Sequence, residues 1–405
     1  MLHGVRILFM TTGHKARDHR IYDKEARSVA GMGAEVVITG PHPDAETDEN
    51  SIRIIKSPDP KNLFRRFLFQ PWITELLSLS VKPDIVHLHD LELLQIVPLL
   101  RVMMPKAKIV YDVHEDFSGI IAIRGYIPRV MKPSVRLAVN VFEKSFVRMV
   151  NGVVAVTDPL AARFHHSRKI AVYNFPSAQF YRHAGEKSMP AGRRKWDLVH
   201  LGTLSKPRAR FLAEIIALLN EKKPGIMICV AGLHPEIHDF LASLVPRCCT
   251  LLGKIPYEDV PSLLGSARIG LDIHPFETVN LKVAVPVKIF EYMACGAAVI
   301  TSTMPVLDEL ISRAGAGAAS ITCIKAGTPD TFADAIVATL RRMEEGDDPG
   351  SRLQTMAQKH YVWEKEASKL ARFYLDLLDR PSSLKRMEAR RDYDPELKHL
   401  SASRC

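Results

Sequence analysis

The sequence predicts an α/β protein of two Rossmann-like domains, each a parallel sheet covered by helices. Two observations carry this. Apolar runs of strand length alternate with amphipathic stretches of helix length, the rhythm of repeated βα units. That rhythm stops in a segment carrying proline, glycine and charge, roughly 175–195, and then restarts. The length of 405 residues is enough for two or three domains with buried cores.

In the first half the strands are VRILFM, AEVVITG, DIVHLH, KIVYDVH and VNGVVAV, with Asp23 to Met32 as the first helix and a longer helical stretch before DIVHLH. VNGVVAV is almost wholly apolar, as a strand buried between two helical layers must be. The second half runs DLVHLGT, helix RFLAEIIALLN, GIMICVAG, CTLLGKI, RIGLDIHP, helix KIFEYMACG and AAVITS. In the last of these helices Pro286 suits the first turn and Gly296 the left-handed residue that closes it. An amphipathic helix from about Tyr361 to Leu378 precedes a charged tail. The expected boundaries are 1–178 for the N-terminal domain, 179–195 for a linker, 196–362 for the C-terminal domain, 363–380 for a helix crossing back to the N-terminal domain, and 381–405 for the tail. Ligands of open α/β sheets bind outside the carboxyl ends of the strands, so a cleft facing those ends is expected.

Hydrophobic residues at 47% and charged residues at 25% exclude a fibrous or wholly disordered chain. The net charge of +10 favours anionic partners: phosphates, nucleic acid or acidic lipid headgroups. The basic residues are scattered, and neither a zinc-finger spacing nor an aromatic RNA-binding motif accompanies them, so nucleic acid is not expected as a partner. The six cysteines all lie in the second half without regular spacing, which suits a reducing cytosol. MLHGVRILFM reads as a buried first strand rather than a leader, and no run of about 18 apolar residues offers a membrane span.

Five ordered stretches, TTGHKARDHRIYDKEARSVAGMGAEVVITG, PDIVHLHDLELL, KIVYDVHED, HLGTLSKPRARF and PVKIFEYMACG, resemble the retaining glycosyltransferases of family 4, in the branch with DxRIxxKE, HDxELL and KxFEYMAxG motifs. The likeness runs from about Val5 to Leu378. It implies the GT-B fold, two Rossmann-like domains facing a central cleft. It also implies transfer of a sugar from a UDP- or GDP-linked donor to an acceptor hydroxyl with retention of configuration. The C-terminal domain would hold the donor and the N-terminal domain the acceptor. No metal or other cofactor is implied.

Under that resemblance Glu291 matches the second glutamate of the paired-glutamate motif and accepts hydrogen bonds from the donor's ribose, a role that suits a carboxylate facing a vicinal diol. The first glutamate's position is Val283, and Glu277 stands nearby as a substitute for sugar binding. The leaving diphosphate needs cations already in place. Arg208 matches the family's second basic residue; the first is Thr203 here, with Lys206 or Lys288 to supply the missing charge. Ile255 falls at the strand end whose backbone pairs with the nucleobase.

In the first half, Gly13 ends a strand where a ligand can approach the backbone, or is merely a turn. His114 matches a histidine that contacts the donor sugar near the reaction centre. Retention without an obvious nucleophile implies a front-face route, in which the leaving phosphate helps deprotonate the acceptor. His87 and His89 alternate along a strand, with Asp90 next to them, as ligands of a metal site would, yet His89 and Asp90 read rather as residues of the cleft or braces of a loop. Asp18, Arg20, Lys24 and Glu25 match DxRIxxKE, and either line the acceptor side or form a surface ion-pair network.

PKNLFRRFLFQPWITELLSLS mixes Arg65 and Arg66 with Phe64, Phe67, Phe69 and Trp72. Such a segment either lies on an anionic bilayer, its arginines at the headgroups, or packs as an ordinary helix. The expected partners are therefore a nucleotide-sugar donor, a glycan or lipid-linked acceptor and an anionic membrane, in cell-surface polysaccharide or glycolipid assembly at the inner face of the cytoplasmic membrane. Two alternatives stand beside this: a nucleotide-sugar epimerase or hydrolase of the same fold, and a non-catalytic nucleotide or carbohydrate binder, for which Val283 and Thr203 argue.

Overall fold

The computed structural model describes residues 1–380 apart from 43–45, 48–51, 123, 126, 247–248, 275–278, 316–320 and 326, so Glu277 and the tail expected at 381–405 lie outside the described residues. The chain divides into two compact units, Met1–Tyr173 with the chain from Glu364 onward, and Asn174–Trp363.

The first unit is built on strands β1 (Arg6–Met10), β2 (Glu35–Pro41), β3 (Glu46–Thr47), β4 (Arg53–Ser57), β5 (Ile85–Leu88), β6 (Lys108–Val113), β7 (Gly152–Ala155) and β8 (Lys169–Ala171). They form one sheet in the order β3-β4-β2-β1-β5-β6-β7-β8, parallel except for β3. From β1 the chain winds outward to β2 and β4, then returns to place β5 on the other side of β1. The strand order therefore reverses between β1 and β5, and the carboxyl ends of those two strands are the expected ligand position.

The helix expected at Asp23 to Met32 is different in kind. Residues His19–Ala26 form a π-helix, continued as α-helix by Arg27–Gly31. Its wider turn closes i to i+5 hydrogen bonds.

Two helices that follow β4 are inverted. Helix α1 (Leu63–Leu68) buries none of its residues. Helix α2 (Gln70–Ser78) buries Gln70, Pro71, Thr74, Glu75 and Ser78, while Trp72, Leu76 and Leu77 are exposed. Hydrogen bonds rather than apolar packing dock it: Gln70 donates to Ser57 Oγ of β4 at 3.2 Å, and Ser78 bonds Thr39 of β2 at 2.9 Å. Helix α3 (Lys132–Val147) buries only Glu143 and Val147 of its sixteen residues and exposes Leu137 and Val141. Both α2 and α3 pack against the short helix Leu91–Ile96 that follows β5.

The C-terminal helix Trp363–Leu377 packs in this unit from Glu364 onward. Glu366 accepts from the backbone N–H of Tyr173 at 2.8 Å, the Tyr374 hydroxyl bonds His87 Nδ1, and Phe373 packs so closely on Gly152 that a Cβ there would lie 2.6 Å from its ring.

The second unit carries β9 (Trp196–Leu201), β10 (Ile228–Leu233), β11 (Cys249–Gly253), β12 (Ala267–Asp272), β13 (Ala298–Ser302) and β14 (Ile321–Ile324), all parallel, in the order β11-β10-β9-β12-β13-β14. Here the order reverses between β9 and β12. The segment expected as linker is largely helix α4 (Ala178–Lys187), which belongs to this unit. Ser177 caps it by accepting from Phe180 N–H, and proximity to Gly265 seals it down: a Cβ on that glycine would lie 2.8 Å from Ser188 Cα. Helix α5 (Lys206–Lys222) buries Leu212, Ile215, Ile216 and Leu219 against Ile228, Val230, Ile269 and Leu271 of the sheet.

Burial pushes the Glu75 carboxyl on α2 up to about 7 from its ordinary 4.5. Folding therefore takes up a proton between those values, and Glu75 erodes stability as pH rises through that window. Glu75→Gln is expected to stabilise the protein against urea at pH 8 and to change little at pH 5.

Candidate functional site

In the second unit the reversal point is marked by a buried carboxylate. Asp272, the last residue of β12, is fully buried. Lys288 Nζ lies 2.6 Å from it, His274 Nε2 3.0 Å and Arg208 3.8 Å. Arg208 also donates Nε–H to the Ile273 carbonyl at 3.0 Å. Burial alone would raise the Asp272 carboxyl, but Lys288 and then His274 hold it well below the usual carboxylate range. Burial lowers Lys288, with Asp272 opposing, and lowers Arg208 in the same way.

Lys288 is positioned by helix α6 (Val287–Ala294), which Pro286 precedes and Gly296, at φ +67°, terminates. One side chain fixes that helix on the sheet. The buried Tyr292 hydroxyl accepts from Leu201 N–H at 2.8 Å and donates to the Leu271 carbonyl at 3.2 Å, tying α6 to both β9 and β12. Its ring lies flat against Gly270, where a Cβ would come within 2.2 Å. Beside Lys288, Gly202 at φ +116° and Gly232 at φ +86° bring two strand-end loops together: a Cβ on Gly232 would meet the Gly202 backbone at 2.9 Å.

Glu291 is nearly buried and accepts from the Tyr257 hydroxyl at 3.0 Å. It sits in the second turn of α6, one turn beyond Lys288. Ile255, half-buried just past β11, lies two residues from that tyrosine. Thr203 is exposed in the loop after β9, and Lys206 pairs at the surface with Glu236 at 2.6 Å, so of the three expected cations only Arg208 and Lys288 converge on Asp272.

In the first unit the ends of β1 and β5 are joined by Asp90. Its carboxylate accepts from Thr11 Oγ1 at 2.7 Å and from the N–H groups of Thr12 and Gly13 at 2.8 and 3.1 Å, with Arg66 at 3.0 Å and His14 at 3.1 Å beside it. Asp90 is thus a brace for the loop after β1. Two expectations change here. The side of Gly13 is covered by Arg66, whose guanidinium a Cβ would meet at 2.0 Å. Arg66 itself, expected at lipid headgroups, turns inward to Asp90 and Glu92, because two buried carboxylates need its charge; Arg65 stays exposed.

Behind this loop lies a buried polar cluster. Asp18 caps the π-helix, accepting from Arg20 and Ile21 N–H at 2.9 and 3.2 Å, and so is structural. Arg20, Lys24 and Glu25 are buried, not on the surface: the wide helical turn brings Arg20 and Glu25 to one face, 3.0 Å apart, and Arg20 reaches Asp112 at 3.2 Å. His87 and His89 stack with ring centres 4.6 Å apart. His114, just past β6 and 12% exposed, lies 3.2 Å from His89 Nδ1 and 3.3 Å from Asp112, with its ring 5.0 Å from that of His14. Burial, with Asp112's charge second, pushes Glu25 up so that it keeps its proton; Asp112 stays ionised because Arg20 and His114 outweigh its own burial. Burial lowers His87, and takes His89 down to about 4, so both are neutral. Donor atoms of Glu25, His87, His89 and Asp112 lie within 4.8 Å of one another, a possible ligand set, but the Arg20 guanidinium already stands against both carboxylates. Asp90 is not part of it.

Residues 23–172 match the family described as glycosyl transferase 4-like domain, and residues 195–342 match glycosyl transferases group 1, together well over half of the chain. The chain belongs to the GT-B glycosyltransferases. As such it shares its fold with sucrose-phosphate synthase from Thermosynechococcus elongatus, at a TM-score of 0.68 and 16% identity over 93% of this chain and 99% of that one. It also matches Anabaena HepE in complex with UDP-glucose, at 0.64 and 13% over 91% and 98%. The chitobiosyldiphosphodolichol beta-mannosyltransferase of Candida albicans is 23% identical over 244 residues, 55% of this chain and 52% of that protein; for the one from Yarrowia lipolytica the figures are 25% over 107 residues, 25% and 22%. The chain thus spans about half or less of these relatives' length. Asp272 and His274 of this glycosyltransferase were not singled out from sequence; the signal was a carboxylate directly following the apolar run IGL at the end of β12.

Asp90 raises His14 above its ordinary 6.5 against the lowering effect of burial. Charged His14 therefore adds stability below pH 6.5 that disappears as pH rises through its raised value. In Asp90→Asn burial and the Arg66 charge lower His14 against the Asp18 charge alone, and the His14 ring protons should titrate at lower pH than in the parent by NMR; an unmoved midpoint would separate the two groups.

Proposed function

We propose that this GT-B enzyme is a family 4 glycosyltransferase that moves a sugar from a UDP- or GDP-linked donor to a glycan or lipid-linked acceptor with retention of configuration. The observation that carries the reading is the pair of cations, Lys288 and Arg208, gathered on Asp272 at the strand-order reversal of the second unit. A nucleotide diphosphate leaving group develops negative charge as the glycosidic bond breaks, and cations fixed beforehand stabilise it without reorganising. The amino end of α5, which follows β9, adds its dipole. Ribose binding by Glu291 and base pairing by the backbone at Ile255 are mutually consistent, since Tyr257 links the two neighbourhoods.

In this reading the anomeric bond to the diphosphate breaks while a bond to the acceptor oxygen forms on the same face. The acceptor's proton passes to a diphosphate oxygen. His114 hydrogen-bonds the transferred sugar, and no metal takes part. The relatives named for a lipid-linked diphospho-chitobiose acceptor support a lipid-linked acceptor here, in surface polysaccharide or glycolipid assembly. The exposed apolar residues of α1 and α2 support peripheral contact with the inner face of an anionic membrane, and among the described residues no helix is long and apolar enough to cross one.

A second reading, inverting transfer, draws on the β linkage in the relatives' name and on the His114–Asp112 pair at 3.3 Å, which has the form of a general base with its orienting carboxylate. The anomeric coupling constant of the product separates the two: from an α-linked donor, retention yields an α product and inversion a β product.

Thermal shifts against UDP, GDP, ADP and their sugar conjugates test the donor site. One nucleotide should stabilise the protein, by about 2.7 kcal/mol at a hundred times its dissociation constant. Lys288→Ala and Glu291→Ala should each weaken that ligand at least about tenfold, roughly 1.4 kcal/mol. A full response in both variants would remove the proposed donor site.

A further inference from the structure

We infer that a cationic trough on the first unit binds the phosphate of an anionic lipid while that lipid remains in a bilayer. This rests on the lipid-linked acceptor reading above and gives it a place on the protein. The trough has a volume of about 810 Å³ and is walled by Lys132, Arg136 and Lys144 along α3 and Arg129 in the turn before it, with Arg163 opposite. Its wall carboxylate, Asp116, is already engaged: Arg163 lies 2.5 Å from it, and it accepts from Gly119 N–H and Ser118 Oγ at 2.8 and 2.9 Å. Lys132 donates to the Ala122 carbonyl at 2.7 Å, which holds its ammonium in place without neutralising it. Among the described residues none of Arg129, Lys132, Arg136 and Lys144 has an acidic group at ion-pair distance. Like charges held together in a concavity raise its potential and favour an anion of high charge density, which phosphate is.

The surroundings identify the source of that phosphate. The helix that supplies the cations also exposes Leu137 and Val141, and the turn leading into it exposes Val130 by 87% and Met131 by 53%. Across the short helix Leu91–Ile96, α1, α2 and the residue between them expose Phe64, Phe69, Trp72 and Leu76. A soluble phosphate has no use for apolar side chains around its site. A bilayer presents phosphate at the headgroup and hydrocarbon beneath it, and a surface with both features matches that layering.

The test uses the full chain and three vesicle preparations: neutral phosphatidylcholine, the same with phosphatidylglycerol, and the same with a polyprenyl phosphate. Cosedimentation should be at least tenfold stronger with either anionic preparation than with neutral lipid. The variant Arg129→Ser/Lys132→Ser/Arg136→Ser should lose that preference, and Leu137→Ser/Val141→Ser should weaken binding to anionic vesicles while leaving the fold, read by circular dichroism, intact. Preference for the polyprenyl phosphate over phosphatidylglycerol would assign the trough to the acceptor; equal binding would assign it to the headgroup layer. Unchanged vesicle binding by the triple variant overturns the inference. So does equal binding of the parent protein to neutral and anionic vesicles. The nucleotide thermal shift of the triple variant should match the parent's, so failure here leaves the donor site standing and failure there is seen independently.

Discussion

The second unit is organised around the burial of one negative charge. An isolated carboxylate cannot remain ionised in a protein interior without partners, because the loss of hydration exceeds anything that packing returns. Asp272 meets that demand with Lys288, His274 and Arg208, which come from three separate segments. The demand therefore fixes α6 and α5 relative to the end of β12. Tyr292 and the bare face of Gly270 supply the packing that lets α6 lie close enough for Lys288 to reach. The result is a cation pair assembled by folding itself, at the place in an open sheet where a ligand can approach. A donor with a diphosphate would find that arrangement already made.

The first unit solves the same problem differently. Four of its buried carboxyls, Asp90, Glu92, Asp112 and Glu25, are matched internally by Arg66 and Arg20, by a proton on Glu25 and by neutral histidines. Little positive charge is left over at the ends of β1 and β5. Among the described residues Arg129, Lys132, Arg136 and Lys144 have no acidic group at ion-pair distance, and they lie on α3 and the turn before it. Charge compensation thus divides the two units by role: cations beside a strand-order reversal in one, a sealed polar interior with an external cationic surface in the other.

The sheets were legible because parallel strands covered on both faces must be continuous apolar runs, and VRILFM, AEVVITG, KIVYDVH and AAVITS are such runs. The short edge strands β3, β8 and β14 were not, since an edge strand of two to four residues leaves almost no periodic signal. The helix closed by Gly296 was readable from its stop residue. The π-helix was not, because Arg20 at its start is held by Asp112, a partner 92 residues away. Glu291, Arg208 and Lys288 were named as candidates through the family resemblance, whereas Asp272 and Arg66 owe their surroundings to partners far away in sequence. Arg66 and Lys206 show the limit most clearly: each is a basic residue in a plausible stretch, and only the fold decides that one closes over Gly13 while the other pairs with a surface glutamate.

Helices α2 and α3 pose a sidedness that the protein's own interior does not explain. Scattered exposed leucines are ordinary on any surface. Here, however, α2 buries Glu75 and α3 buries Glu143, each with its carboxyl pushed up to about 7 mainly by burial, while Leu76 and Leu137 on the same helices face outward. Were water the only medium outside, turning the leucines inward and the glutamates outward would relieve desolvation and bury apolar area together, both favourable. Under the proposed membrane contact those apolar faces would meet hydrocarbon, and the arginines and lysines beside them would meet the anionic headgroups.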